Sequence, residues 1–291
     1  MSRRVTRERE RFSPKETLLA VLFLAPSFVV FVMFAYLPFW RVMSWGTFES
    51  RQRGSTFESV GLSQYVDVLT GEEFRDGVWI SLKYVLYTVP PGLVLGVLLA
   101  VAANRQIRGI KFFQTVFSST IATSVAVASV IFLVLINPAV GVFKVNWLND
   151  PGLALFGVSL SSVWQNIGLS FVIVLAGLQA IPEEVLEAAT IDGYGPVRRF
   201  FRITLPLLSP VLMFLVVVLV VFAFQAYAQV DILTAGGPAR STETLVFKIF
   251  QRQNTENIPV GSIMSVGLFG ITFVVTLIQF FILDRRVHYA K

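Results

Sequence analysis

Residues Glu183–Pro210 read EEVLEAATIDGYGPVRRFFRITLPLLSP. The stretch holds four carboxylates (Glu183, Glu184, Glu187, Asp192) and three arginines (Arg198, Arg199, Arg202). Charge-free sequence surrounds it. Of the 291 residues, 55% are hydrophobic and only 14% are charged, with a mean hydropathy of +0.70. A soluble domain carries about a quarter of its residues charged. The chain therefore reads as a bilayer protein, and Glu183–Pro210 as a polar island between two apolar runs.

Six runs lack Asp, Glu, Lys and Arg: Thr17–Trp40, Tyr84–Asn104, Phe112–Phe143, Pro151–Pro182, Ile203–Val230 and Asn257–Leu283. A spanning helix needs about 20 apolar residues, so each run accommodates one. The alternation of a membrane barrel is absent. The expectation is an all-α integral membrane protein with six spans near 17–40, 84–104, 113–137, 155–181, 207–230 and 260–283. Segments 1–16 and 284–291 then flank a 17–283 transmembrane domain, with 182–206 as a loop between spans four and five.

Six spans put both termini on one side. That side carries fifteen basic residues, among them Arg105, Arg108, Lys111, Arg198, Arg199 and Arg202, against nine on the other. The positive-inside rule predicts that both termini and the island are cytoplasmic. Trp40, Trp45, Trp79 and Trp147 fall near the predicted outer ends, where indole rings anchor. The first apolar run is 24 residues long and has no A-x-A site after it, so it reads as a retained helix rather than a signal peptide.

Several chemistries lack their residues. There is no cysteine and a single histidine, His288, so no usual zinc or iron set is expected. No G-x-x-x-x-G-K-[ST] phosphate loop occurs. Glu183 and Glu187 share a helix face without a second pair or a histidine, which fits a complement to the helix dipole better than a metal site. Mid-depth charges, which ion-coupled carriers keep along their pathway, are missing. Neutral polar residues do occur in the runs: Thr120, Thr123, Ser124, Gln165, Asn166, Ser170, Gln225 and Gln229, with Asp231 at the predicted outer end of run five. They either join helices to one another or line a path for a hydroxyl-rich solute. Gln165, Asn166, Gln225, Gln229 and Asp231 are the path candidates. The absence of a mid-membrane cation is an argument for a neutral sugar.

Within the island, Pro182 suits a helix start and Glu183 and Glu184 complement its dipole. Asp192-Gly193 stops that helix, because glycine accepts the left-handed conformation. Pro196 begins a second short helix, and Leu205-Pro206 returns the chain to the membrane. An amphipathic element on headgroups explains the arginines; a docking element for a soluble partner explains the carboxylates as well.

The island resembles the EAA loop of ABC importer permeases. Glu187-Ala188-Ala189, Gly193, Ile203, Leu205 and Pro206 keep every spacing of that pattern. The stretches "VWQNIGLSFVIVLAGLQAIPEE" and "LTAGGPARSTETLVFKIFQ" resemble the carbohydrate-uptake branch, which includes maltose and glycerol-3-phosphate permeases. Tyr194 departs from a position that is commonly alanine. The resemblance implies that the loop inserts into a groove on a separate ATPase subunit. Glu187 would pair with a basic group there, Ala188 and Ala189 would allow close contact, and Asp192-Gly193 would make the turn. Ile203, Leu205 and Pro206 would fix the return to the membrane. It further implies that this chain binds no cofactor, with ATP and Mg held by the ATPase. A second permease, two ATPase subunits and an extracytoplasmic solute-binding protein are the implied partners, in a bacterial inner membrane. The ending "DRRVHYAK" and the island lean toward glycerol-3-phosphate or a glycerophosphodiester, with sugars close behind. A stand-alone secondary carrier or channel is the alternative, distinguished by ATPase dependence.

Overall fold

The structure is a computed structural model that describes residues 14–51, 54, 56–105, 107–254 and 256–284. The basic termini 1–13 and 285–291, including His288, lie outside the described residues. Helix dominates because a backbone in hydrocarbon must satisfy its own N–H and C=O groups, and helices do so within the segment. Four helical stretches are long and apolar enough to cross a membrane: Leu18–Trp45, Glu72–Ala103, Ala154–Gln179 and Ile258–Ile282. Two further candidates are bent pairs, Ile110–Ala122 with Val125–Leu135 at 105°, and Pro196–Leu207 with Ser209–Phe224 at 69°. The count is six when each bent pair is one span.

The first rod is α1 (Pro14–Phe31) and α2 (Leu37–Trp45), joined by a π turn over Val32–Tyr36 just ahead of Pro38. A proline has no N–H for the helical ladder, and a π turn is one way for a helix to absorb that loss. A short antiparallel hairpin follows, β1 (Phe48–Arg51) and β2 (Thr56–Ser59), with Phe48 opposite Ser59. Trp45 packs on Phe48 and Phe57 at its base. In α3 (Ser63–Thr70), the Tyr65 hydroxyl donates to Met43 O at 2.7 Å, tying the segment back to α2.

Next come α4 (Glu72–Ala103) and α7 (Ala154–Gln179), which run in the same direction and form the centre of the molecule. Their contact is made by small residues. A Cβ on Gly92 would lie 2.7 Å from that of Asn166, and one on Gly96 would collide with Ser170. Close approach of this kind is how membrane helices gain van der Waals contact without a hydrophobic drive. Tyr84, Phe171, Val158, Val174, Leu215, Leu219 and Val230 are fully buried around this pair. α4 continues as helix through Pro90 and Pro91.

Two of the expected spans are broken into shorter helices. The run 113–137 is divided into α5 (Ile110–Ser118), a 3-10 turn over Ser119–Ala122 and α6 (Val125–Leu135). The run 207–230 is divided into α11 (Ser209–Phe224) and α12 (Ala228–Thr234), with Gln225 ending the first. The last helices are α13 (Leu245–Gln251) and α14 (Ile258–Asp284).

At the α4 start, opposite the Glu183–Pro210 loop, charged side chains pin α13 to α4. Arg252 pairs with Glu73, Lys248 Nζ lies 3.3 Å from Glu243 and Arg240 Nε 2.9 Å from it. The Glu243 hydrogen bond holds the Arg240 guanidinium above its ordinary range. Leu245 N–H donates to Ser81 Oγ at 2.9 Å, closing the contact.

Candidate functional site

The two helix breaks that the sequence does not announce face one cavity. Its volume is about 700 Å³, within the range of small-solute sites. Gln165 and Asn166 of α7 line it, with Gln225 at the end of α11 and Gln229 of α12. Thr123 and Ser124, at the other break, complete its polar wall. None of the lining residues is acidic or basic.

Three of the four amides have a structural reason for their positions. Gln165 Nε2 donates to Thr123 O at 2.9 Å, so α7 holds the break before α6. Gln229 Nε2 donates to Ser162 Oγ at 3.0 Å, and Ser162 Oγ lies 2.7 Å from the Tyr84 hydroxyl. This chain of three side chains joins α4, α7 and α12 and leaves no member of it alone in the interior. Asn166 is 9% exposed and rests its Cβ on Gly92. Gly168 receives Thr120 at the bend, where a Cβ would collide with the Thr120 hydroxyl.

Asp231 is not part of this cavity. It lines a separate one of about 410 Å³ with Asn137, Asn146 and Asn149. Gln229 and Asp231 are two residues apart on α12, and helical geometry turns such side chains about 200° from each other. Gln229 and Asp231 thus face different cavities. The sequence reading also missed Thr88, Ser162 and Tyr227, all of which line the larger cavity. Ser162 and Asn166 are four apart in α7, a same-face spacing that could have found Ser162.

The polar island forms two short helices. α8 (Glu183–Ile191) carries Glu183 and Glu184 in its first turn. Gly193 has φ +78°, its N–H donates to Thr190 O at 3.1 Å, and Tyr194 N–H donates to Ala189 O at 3.0 Å. These two bonds are a Schellman stop, the ending that Asp192-Gly193 predicts. α9 (Pro196–Arg199) then begins with Pro196 in its first turn. Arg198 lies over the Tyr194 ring at 4.9 Å, and Arg199 Nη1 donates to Thr190 Oγ1 at 3.1 Å. The arms of the loop thus brace each other.

Glu187, Ala188, Asp192 and Gly193 are exposed on this loop, beside Ile191 at 86% exposure. Ala189 is different: it is 2% exposed and already covered by this chain. Close approach to a partner at that point is open to Ala188 alone. Ile203, Leu205 and Pro206 are half-buried, in a π turn over Phe200–Thr204 and the short α10 (Leu205–Leu207).

The chain matches the family of binding-protein-dependent transport system inner membrane components over residues 92–289. It belongs to that family. Relatives include the sn-glycerol-3-phosphate transport system permease protein UgpA of Salmonella choleraesuis (strain SC-B67) and that of Escherichia coli (strain UTI89 / UPEC). Each is 33% identical over 282 residues, covering 93% of this chain and 96% of the relative. The permease also shares its fold with a chain of a bacterial alginate ABC transporter in complex with an alginate pentasaccharide-bound periplasmic protein. There the TM-score is 0.80 at 18% identity, covering 95% and 98% of the two chains. A likeness to the methionine transporter MetNI has a TM-score of 0.56 at 15% identity, covering 75% of this chain and all of that one. The family is one of transport permeases rather than enzymes.

Proposed function

We propose that this permease forms half of a translocation path in a binding-protein-dependent ABC importer. Its solute is a small polar one, a sugar, glycerol-3-phosphate or a glycerophosphodiester. The observation that carries the reading is the cavity of about 700 Å³ walled by neutral amides and hydroxyls at two helix breaks. Such groups exchange hydrogen bonds with a hydroxyl-rich solute, while ion-coupled carriers keep ionisable residues along the path. The named relatives transport sn-glycerol-3-phosphate, which agrees with the solute class.

Residues 182–206 are the coupling loop in this reading. A separate ATPase subunit, carrying ATP and Mg, receives it, with Glu187 and Ala188 on the contact and Ile191 beside them. Gly193 makes the turn, and Ile203, Leu205 and Pro206 hand the push to α11. A second permease subunit, two ATPase subunits and an external solute-binding protein complete the assembly. Both termini are cytoplasmic and the chain crosses the inner membrane six times.

The test compares wild type with Glu187→Arg after co-expression with the neighbouring permease and ATPase. A reversed charge at a docked contact lowers complex recovery and ATP-driven uptake at least about tenfold. Unchanged assembly and uptake would return the loop to the status of a surface helix on headgroups.

A further inference from the structure

The cavity has no cationic side chain, yet it has a source of positive potential. α6 begins at its wall: Ser124 and Val125 both line the cavity. The helix runs eleven residues, Val125–Leu135, and starts after a 105° bend. Ser124 caps it, accepting from Val127 N–H at 3.3 Å. The backbone N–H groups of Val125 and Ala126 have no acceptor among the described residues. A helix start carries about half a positive charge, concentrated on such free N–H groups.

A second observation points to the same place. Asn166 is 9% exposed, lines the cavity, and its amide has no hydrogen-bond partner among the described residues. The amide opens on the cavity rather than being sealed in protein, so its donors are available to a solute. Several other polar groups of the wall are engaged: Gln165 holds Thr123 O, Gln229 holds Ser162, and Ser124 caps α6. Gln165 also ties down the Thr123 carbonyl, the nearest main-chain oxygen to the helix start in sequence.

We propose that the start of α6, with the Ser124 hydroxyl and the Asn166 amide, is an anion cradle for the phosphate group of a phosphoester solute. The free N–H group of Val125, which lines the cavity, takes one phosphate oxygen. Asn166 donates to a second unesterified oxygen, which monoesters and diesters both offer, and the Ser124 hydroxyl turns its proton inward. Interrupted membrane helices that aim their N-termini at anionic solute groups work by this physics. The cradle explains how a cavity without Lys or Arg accepts an anion and still releases it. A full cation in this low-dielectric setting would bind the phosphate more tightly than a transit site requires. The proposal rests on the reading of this cavity as the solute path.

The experiment uses the complete transporter with its solute-binding protein in proteoliposomes. The probes are sn-glycerol-3-phosphate, a glycerophosphodiester and uncharged maltose. Asn166→Asp keeps the shape and adds a negative charge, and uptake of both phosphoesters falls at least about tenfold. Asn166→Ala lowers it about threefold through loss of one donor. Solute affinity of the binding protein, a separate chain, stays the same for both variants.

Phosphoester uptake at the wild-type rate in Asn166→Asp overturns the cradle. So does a wild-type complex that imports maltose and neither phosphoester, although the importer reading survives that result. A wild-type complex with no ATP-dependent uptake of any probe overturns the importer reading itself. If Asn166→Asp does not assemble, Asn166→Ala decides, and an unchanged rate there overturns the cradle.

Discussion

The bend at Thr123–Ser124 and the bend at Leu208 have similar consequences and different causes. The second is made locally. Pro206 and Pro210 each remove one donor from the helical ladder, and the Ser209 hydroxyl donates to Pro206 O at 2.6 Å in place of the missing N–H. The first contains neither proline nor glycine. It is held from outside, by Gln165 of α7 on Thr123 O and by Thr120 seated on Gly168. A bend written in its own residues persists when neighbours change. A bend held by a neighbouring helix depends on how that helix is packed, and this one shapes the cavity.

That difference can be broken most directly at Gly168. Gly168→Val puts a methyl group where Thr120 sits, and such overpacking costs about 3 kcal/mol. Thermal unfolding of the purified complex in detergent should show a drop of several degrees. A melting point within about one degree of wild type would mean that Thr120 moves aside and the bend does not depend on Gly168.

Gln165→Leu comes next in size. It leaves Thr123 O without its donor, at a cost of about 2 kcal/mol. Hydrogen exchange at Val127 and Ala128, in the first turn of α6, should quicken while exchange in α11 stays as it was. Equal exchange in Gln165→Leu and wild type would show that the bend keeps itself.

Ser209→Ala has the smallest expected effect, about 0.5 kcal/mol, because the two prolines still interrupt the ladder. Distances between spin labels on α9 and α11 should not change beyond experimental scatter. A straightened segment would assign the bend to the hydroxyl instead of to the prolines.

The same contrast explains what the sequence reveals. Leu205-Pro206, Asp192-Gly193 and Pro196 are local signals, and the loop built from them is close to the reading of the sequence, down to the Schellman bonds. The apolar runs likewise place the helices, because hydrocarbon leaves no other backbone solution. The break before α6 was not legible, since its partner Gln165 is 42 residues away. The Arg252–Glu73 pair, 179 residues apart, is equally silent in one dimension. Among the cavity residues, the amides could be named from chemistry alone. Their separation from Asp231 needed the start of α12 at Ala228, which falls inside an apolar run with no proline or glycine beside it.

Tyr194 and Arg198 add a last consequence. Their stacking, the Arg199–Thr190 bond and the Gly193 turn define the shape of the loop using only its own residues. Whatever docks on that face meets a surface that is already ordered. Association then loses little conformational entropy at the loop, and encounter need not wait for a rare conformer. The rate of assembly should follow collision and charge, with the loop behaving as a finished part rather than as one moulded on contact.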